Sequence, residues 1–382
     1  MSTQESSRHR VDLTRSIPPV PPELQACFAR TLATLARQQN LDVLVRTSTP
    51  GGTDEDRRIG AEWLTPRFGE ALDPQRVLLT NGTQSALVLL LQHLVRPGRV
   101  VLAERLTYGV LPEVARVAGV KVVGVDIDSD GLIPEAADEM CQVHDVGAIY
   151  CNPTFHNPTT STMPLARRHA LARVARKHRI FLIEDDPIGR LYDNLPPPLA
   201  ALAPDVTWHL CGLTKCIAQA MRLAHVVAPD AASAQKFIGS HARLTHWVAA
   251  PLVASFVIEL IRSGQAADIA QWIATENTAR ERLVRQILGC HGAVTQPRSP
   301  HAWLPLPPSM TQQEIVTTLE SRDVLVRSAK LFAVDDHPAP EAIRLSLSSP
   351  LQRADVERAL STIASVIQSR DVTKPSRRPD EV

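Results

Sequence analysis

Between Arg76 and Ala228 the chain alternates short apolar runs with helical stretches, and that alternation restricts it to few folds. Val77–Thr80, Arg99–Ala103, Val120–Asp126, Gly147–Cys151 and Ile180–Glu184 read as strands. Helices are predicted over Ser85–Val95 and Leu165–His178, and Thr107-Tyr108-Gly109 opens another. Two further apolar runs flank Lys215. Strands separated by helices imply an α/β fold, a three-layer arrangement in which helices cover both faces of a mostly parallel sheet. Such sheets bind ligands at the loops beyond the strands' C-terminal ends. The polar clusters Asn81-Gly82-Thr83-Gln84, Thr107-Tyr108, Asn152 to Thr160, Asp185-Asp186 and Thr214 to Arg222 all fall on those loops.

Lys215 is the least expected of these residues. A lysine between two buried strands is costly unless it is neutral, paired or covalently modified. The chain has six lysines beside thirty-five arginines, so arginine is the compositional default here. Lysine can form a Schiff base and arginine cannot. The bland alternative is a strand-end lysine snorkelling to water.

The remainder frames this unit. At 382 residues there is room for two domains. The expected organisation is an N-terminal segment over 1–45, a large domain over 46–275, a smaller α+β domain over 276–366 and a disordered tail over 367–382. Residues 1–12 are expected to be disordered as well. Helices are predicted over Pro22–Gln39, Asp56–Phe68, Leu252–Gly264, Ile269–Leu288 and Gln312–Glu320, with strands at Ala302–Leu306, Val324–Arg327 and Ala342–Leu347. A formal charge of +1 offers no basic face for nucleic acid. No run of about eighteen apolar residues indicates a membrane span, and the polar N-terminus shows no secretory signal. Six cysteines without CxxC spacing suit reduced thiols and a cytoplasmic location, with a reactive Cys216 as the alternative reading.

In order and spacing these loops resemble the fold-type I pyridoxal-phosphate enzymes of the class I/II aminotransferase family. The branch most similar holds aminoadipate-type aminotransferases and the aminotransferase-like domains of MocR regulators, and the likeness covers about residues 12–365. It implies pyridoxal 5′-phosphate as cofactor in the large domain, an α-amino acid as substrate, no metal, and a homodimer with the site near its interface. Lys215 matches the lysine that holds the cofactor and moves the Cα proton. Asp185 matches the partner of the pyridine nitrogen, which keeps the ring an electron sink. Asn157 matches the donor to the phenolic oxygen, and Tyr108 the aromatic stacked on the ring. Gly82, Thr83 and Gln84 match the helix start that receives phosphate, with Thr214 and Arg222 as further phosphate ligands. Arg344 matches the clamp on the substrate α-carboxylate.

Four positions depart from the pattern. Ile188 stands where a tyrosine donates to the phenolic oxygen, and Gly212 where a serine binds phosphate. The usual Gln-Asn-Pro-Thr-Gly is His156-Asn157-Pro158-Thr159-Thr160, which makes His156 a candidate substrate contact. A tyrosine expected before Pro50-Gly51-Gly52 is missing, with Thr47 nearest. Selectivity is expected from Ile17–Gln39, the Thr47–Thr53 loop, His156, Ile188 and residues near Phe332. The implied activity is transamination of an α-amino acid. The departures keep a second class open, namely β- or γ-elimination, replacement or cyclisation. A ligand-sensing regulator is the third reading, disfavoured because the short segment ahead of the large domain holds no recognition helix and no basic stripe.

Overall fold

The computed structural model describes residues 10–38, 41–44, 46–335 and 337–371. Its centre is a seven-stranded sheet made of β1 (Val77–Thr80), β2 (Val100–Glu104), β3 (Lys121–Val125), β4 (Val146–Cys151), β5 (Phe181–Asp185), β6 (Thr207–Gly212) and β7 (Ala224–Val227), in the order β1-β7-β6-β5-β4-β2-β3. Six strands run in one direction, and β7, antiparallel to both β1 and β6, runs the other way. The expected three-layer α/β fold is what the chain adopts. Both faces of the sheet are covered, which is why its strands read as unbroken apolar runs. In β1, Val77 and Leu79 pack with Trp63, Leu64 and Phe68 on one face, while Leu78 packs with Leu87 and Leu90 on the other. Each such side chain contributes about 1.5–3 kcal/mol on full burial.

The helices owe their ends to local chemistry. The helix Asp54–Phe68 starts at a capping box in which Thr53 and Asp56 satisfy each other's backbone N–H groups, and it stops at Gly69 in the left-handed region. Its predicted apolar face, Ile59, Trp63 and Leu64, is buried.

A smaller three-stranded sheet follows, with β8 (His301–Pro305), β9 (Arg327–Ser328) and β10 (Ala342–Ser346) in the order β8-β10-β9. The helices Gln265–Leu288 and Arg353–Asp371 share its core. Several expectations are corrected here. Residues 367–371, expected in a disordered tail, are helical, because the helix continues to Asp371; residues 372–382 lie outside the described residues. Residues 1–9 also lie outside them, but Val11–Asp12 is a strand rather than disordered, paired in parallel with Val324–Leu325. The helix Gln265–Leu288 runs unbroken through the expected boundary at 275/276. Among the described residues, no helix is long and apolar enough to cross a membrane.

Candidate active site

The parallel strands end along one edge of the large sheet, and β7, running the other way, begins there. Ala224 pairs with both Thr80 and Gly212. That register brings Arg222, two residues earlier, beside the turn after β1 and the turn after β6. A cavity of about 520 Å³ opens at this edge. It is lined by Gly82, Thr83, Gln84, Tyr108, Asn157, Asp185, Thr214, Lys215, Arg222 and Arg344, so ten of the eleven predicted site residues converge on it.

The eleventh, His156, does not line it. Its ring is buried, Nδ1 lies 2.7 Å from the Thr159 hydroxyl, and burial lowers its pKa to about 4. A proline follows Asn157, and the turn that aims Asn157 at the cavity sends its neighbour inward. The Thr47–Thr53 loop does not line the cavity either, whereas Ile188 and Phe332 do.

Asp185 ends β5, and strand alternation separates it from its neighbours. It accepts a hydrogen bond on Oδ2 from Tyr150 at 2.7 Å, while Oδ1 is buried without a partner. Burial lifts its pKa to about 6 against the Tyr150 hydrogen bond. Glu184 and Asp186 point away from the cavity and are matched by cations. Arg67 donates to Asp186 at 2.7 Å. Glu184 accepts from Arg168, from His209 and from the amides of Leu199 and Ala200. Burial would raise the Glu184 pKa, but His209 and the two arginines hold it at about 2. Three consecutive acids therefore have different fates, and the one facing the cavity is the one left short of a partner.

Lys215 donates from Nζ to the backbone oxygen of Ser16. Burial and the positive charges of Arg344 and Arg15 lower its pKa to about 8. This amine loses its proton far more readily than a solvated lysine. Cys216 beside it is not a reactive thiol, because burial pushes its pKa to about 12. Across the cavity Gly82, at φ +81°, turns the chain from β1 into the helix Gly82–Leu94, a conformation that favours glycine. That helix has no side-chain cap, so its first N–H groups are available. Gln84 donates to the Tyr108 hydroxyl at 2.6 Å. Gly212 has a steric reason: a Cβ there would lie 3.0 Å from Thr83 Cγ2. The Arg222 side chain is exposed to the cavity and makes no hydrogen bond or ion pair among the described residues.

Arg344, buried on β10, donates to Asn157 Oδ1 and Ser16 Oγ at 3.3 Å and to the backbone oxygen of Thr14, and its Nε is unpartnered. Asn157 is held in turn by Asn152, whose Oδ1 accepts from its backbone N–H at 2.8 Å. Tyr150, Asn152, Thr14, Ser16 and Arg327 were not singled out in the sequence. Asn152, directly after β4, had a readable position; a tyrosine inside a buried strand reads only as packing.

These groups fit pyridoxal phosphate: a buried oxygen awaiting an N–H, free amides and an unpaired guanidinium suited to a dianion, and an amine of lowered pKa suited to an aldehyde. A family model described as aminotransferase class I and II matches residues 34–363. The chain belongs to that family. Its cofactor is pyridoxal 5′-phosphate, and its fold is that of aminotransferases. The kynurenine aminotransferase of Pyrococcus horikoshii superposes with a TM-score of 0.84 at 19% identity, covering 97% of this chain and 93% of that one. The α-aminoadipate aminotransferase LysN of Thermus thermophilus, complexed with N-(5′-phosphopyridoxyl)-L-leucine, gives 0.83 at 20% identity, covering 96% and 94%. Among curated sequences, the uncharacterised HTH-type transcriptional regulator YdeF of Bacillus subtilis (strain 168) is 27% identical over 304 residues, 80% of this chain and 65% of the regulator. An aromatic amino acid aminotransferase of Schizosaccharomyces pombe is 38% identical over 117 residues, 29% of this chain and 24% of that protein. The chain thus spans no more than about two thirds of the length of these curated relatives.

Proposed function

We propose that this protein is an aminotransferase acting at Cα of an α-amino acid. The observation that carries the reading is the unpartnered Asp185 Oδ1, buried in the same cavity as Lys215, Arg222 and Arg344. Bound pyridoxal phosphate supplies an electron sink for the pair left when Cα loses its proton. In this reading Asp185 accepts the ring N–H, with Tyr150 fixing the carboxylate. Tyr108 packs on the ring, and Asn157 hydrogen-bonds the phenolic oxygen. The amides of Gly82, Thr83 and Gln84, the Thr214 hydroxyl and Arg222 hold the phosphate. Arg344 fixes the substrate α-carboxylate through a two-toothed contact, which orients the Cα–H bond. Lys215 would hold the cofactor through its amine and, when free, would be the base that moves the Cα proton, a task its lowered pKa suits. The protein acts as a homodimer in the cytoplasm.

The test is direct. Incubation with amino acids and 2-oxo acids should exchange the amino group between them, followed by chromatography of both product pairs. Lys215→Ala should lower turnover by at least about a thousandfold, since removing a covalent catalyst and base abolishes both roles. Release of ammonia and an elimination product, with no new amino acid, would move the protein to the elimination, replacement or cyclisation class. The relationship to YdeF supports a further reading, a ligand-sensing module. Saturable amino acid binding with no product of either kind would favour it.

A further inference from the structure

Two hydrogen-bond acceptors belong to residues of the cavity wall and have nothing to accept. The first is on Asn277, which comes from the helix Gln265–Leu288, lines the cavity and is almost wholly buried. A relay fixes the orientation of its amide. The Tyr192 hydroxyl donates its one proton to the backbone oxygen of Arg298 at 2.5 Å, so towards Asn277 it can only accept. Asn277 therefore donates to it from Nδ2, at 3.1 Å, and Oδ1 is left buried without a partner.

The second is on His301, another lining residue, from β8. Its Nε2 lies 3.0 Å from the backbone oxygen of His156. A carbonyl oxygen only accepts, so Nε2 carries the proton and Nδ1 the lone pair. Burial and then the charge of Arg344 lower the ring's pKa to about 3, which keeps it neutral in that tautomer. Nδ1 makes no hydrogen bond among the described residues. In the antiparallel pairing of β8 with β10, His301 stands opposite Ser346 and Trp303 opposite Arg344. His301 and Arg344 therefore share one face of the small sheet, a diagonal step apart. Charge restricts the donor these acceptors can take. Lys215, Arg222, Arg327 and Arg344 line the cavity against one acid, Asp185, so an ammonium group is repelled and a neutral donor is not.

We propose that Asn277 and His301 are specificity-determining residues that accept hydrogen bonds from a neutral donor, a hydroxyl or an amide N–H, on the substrate's side chain. The inference rests on the proposed function for the role of Arg344 at the α-carboxylate, but its test separates the two. Calorimetry on the holoenzyme compares unreactive carboxylates that differ only in ending with hydroxyl or methyl: 3-hydroxypropanoate with butanoate, 4-hydroxybutanoate with pentanoate, and 5-hydroxypentanoate with hexanoate. At one of these lengths wild type should bind the hydroxyl compound about 10- to 100-fold more tightly, because the methyl leaves buried acceptors unpaired. The amino-terminated acid of that length should bind more weakly than the hydroxyl one. Serine, homoserine and 2-amino-5-hydroxypentanoate, run as amino donors against their methyl counterparts, should show the preference in kcat/KM at the same length. Asn277→Leu/His301→Phe should abolish it and leave the methyl compounds within about twofold. Each single substitution should remove part of it, which decides the matter if the double variant does not fold. Equal affinities at every length in wild type, as when the acceptors serve water alone, overturn the inference even if transamination proceeds normally. A preference that survives the substitutions, or that favours the ammonium group, overturns it as well. A hydroxyl preference that depends on these residues, without turnover of any amino acid, upholds it and defeats the aminotransferase reading instead.

Discussion

Asp185 carries a largely buried charge, and that has a sign as well as a size. Its pKa of about 6 lies above the ordinary 3.8, chiefly through burial. The unfolded chain therefore ionises this group at lower pH than the folded one does, so ionisation favours unfolding. The cost appears as pH rises past about 4 and is complete above about 6; at about 1.4 kcal/mol per unit it reaches on the order of 3 kcal/mol. In cofactor-free protein, Asp185→Asn should accordingly raise the unfolding free energy by about 2–3 kcal/mol at pH 7 and hardly at all at pH 4. Urea denaturation at both pH values measures this, and equal stabilities at pH 7 would contradict the buried charge. The same substitution should weaken cofactor retention, since the amide cannot counter a pyridinium. Lys215 was legible in the sequence because a lysine between two apolar strands defies its context, and Asp185 because its place at a strand end matches the family pattern. Tyr150 and Arg327 were not, since a tyrosine in a buried strand and an arginine at a strand edge are what packing and solvation ordinarily supply.

At the scale of elements, β5 depends on the ions behind it. Arg67 and Asp186 pair at 2.7 Å with both side chains almost wholly buried, and Arg168 with Glu184 at 3.4 Å likewise. Such pairs add little net stability when intact, yet removing one partner strands a charge. Arg67→Ala should destabilise the fold by about 3–5 kcal/mol. The double variant Arg67→Ala/Asp186→Ala should recover a good part of that loss, though not all, because Arg67 also donates to Pro196 and Thr154. Denaturant melts of the double-mutant cycle give the coupling, and strictly additive losses would show the pair to be independent. Strand and helix alternation over 76–228 was readable because burial on both faces leaves unmistakable apolar runs. The helix Pro134–Val143 was not, as it buries only Pro134 and Ala137 and shows little apolar period. The strand Val11–Asp12 was hidden for another reason: its partner lies more than three hundred residues away.

Across the whole molecule, the first described residues tie the two sheets' surroundings together. Leu13 donates to Leu325 and accepts from Ser346, and Val11 and Leu13 are buried in the small domain's core. Three residues on, Ser16 takes the Lys215 ammonium and touches Arg344. Deleting residues 2–16 should cost on the order of 3–5 kcal/mol from those two apolar side chains. Amide hydrogen exchange at Ser346 should quicken by at least about tenfold while β5 stays protected, and unchanged exchange at Ser346 would refute the tie. This arrangement also has a consequence in time. Residues 10–16 leave the ribosome some three hundred residues before their partners at 324–325 and 344–346. At about 5–20 residues per second, translation separates the two by tens of seconds. In the later part of that interval the strands from 77 to 227 are already made, while Ser16 still lacks the strand pairing at 324–325 and 344–346 that anchors it. The newborn chain therefore presents Lys215 uncovered, and cofactor can reach the lysine before Ser16 is seated across it.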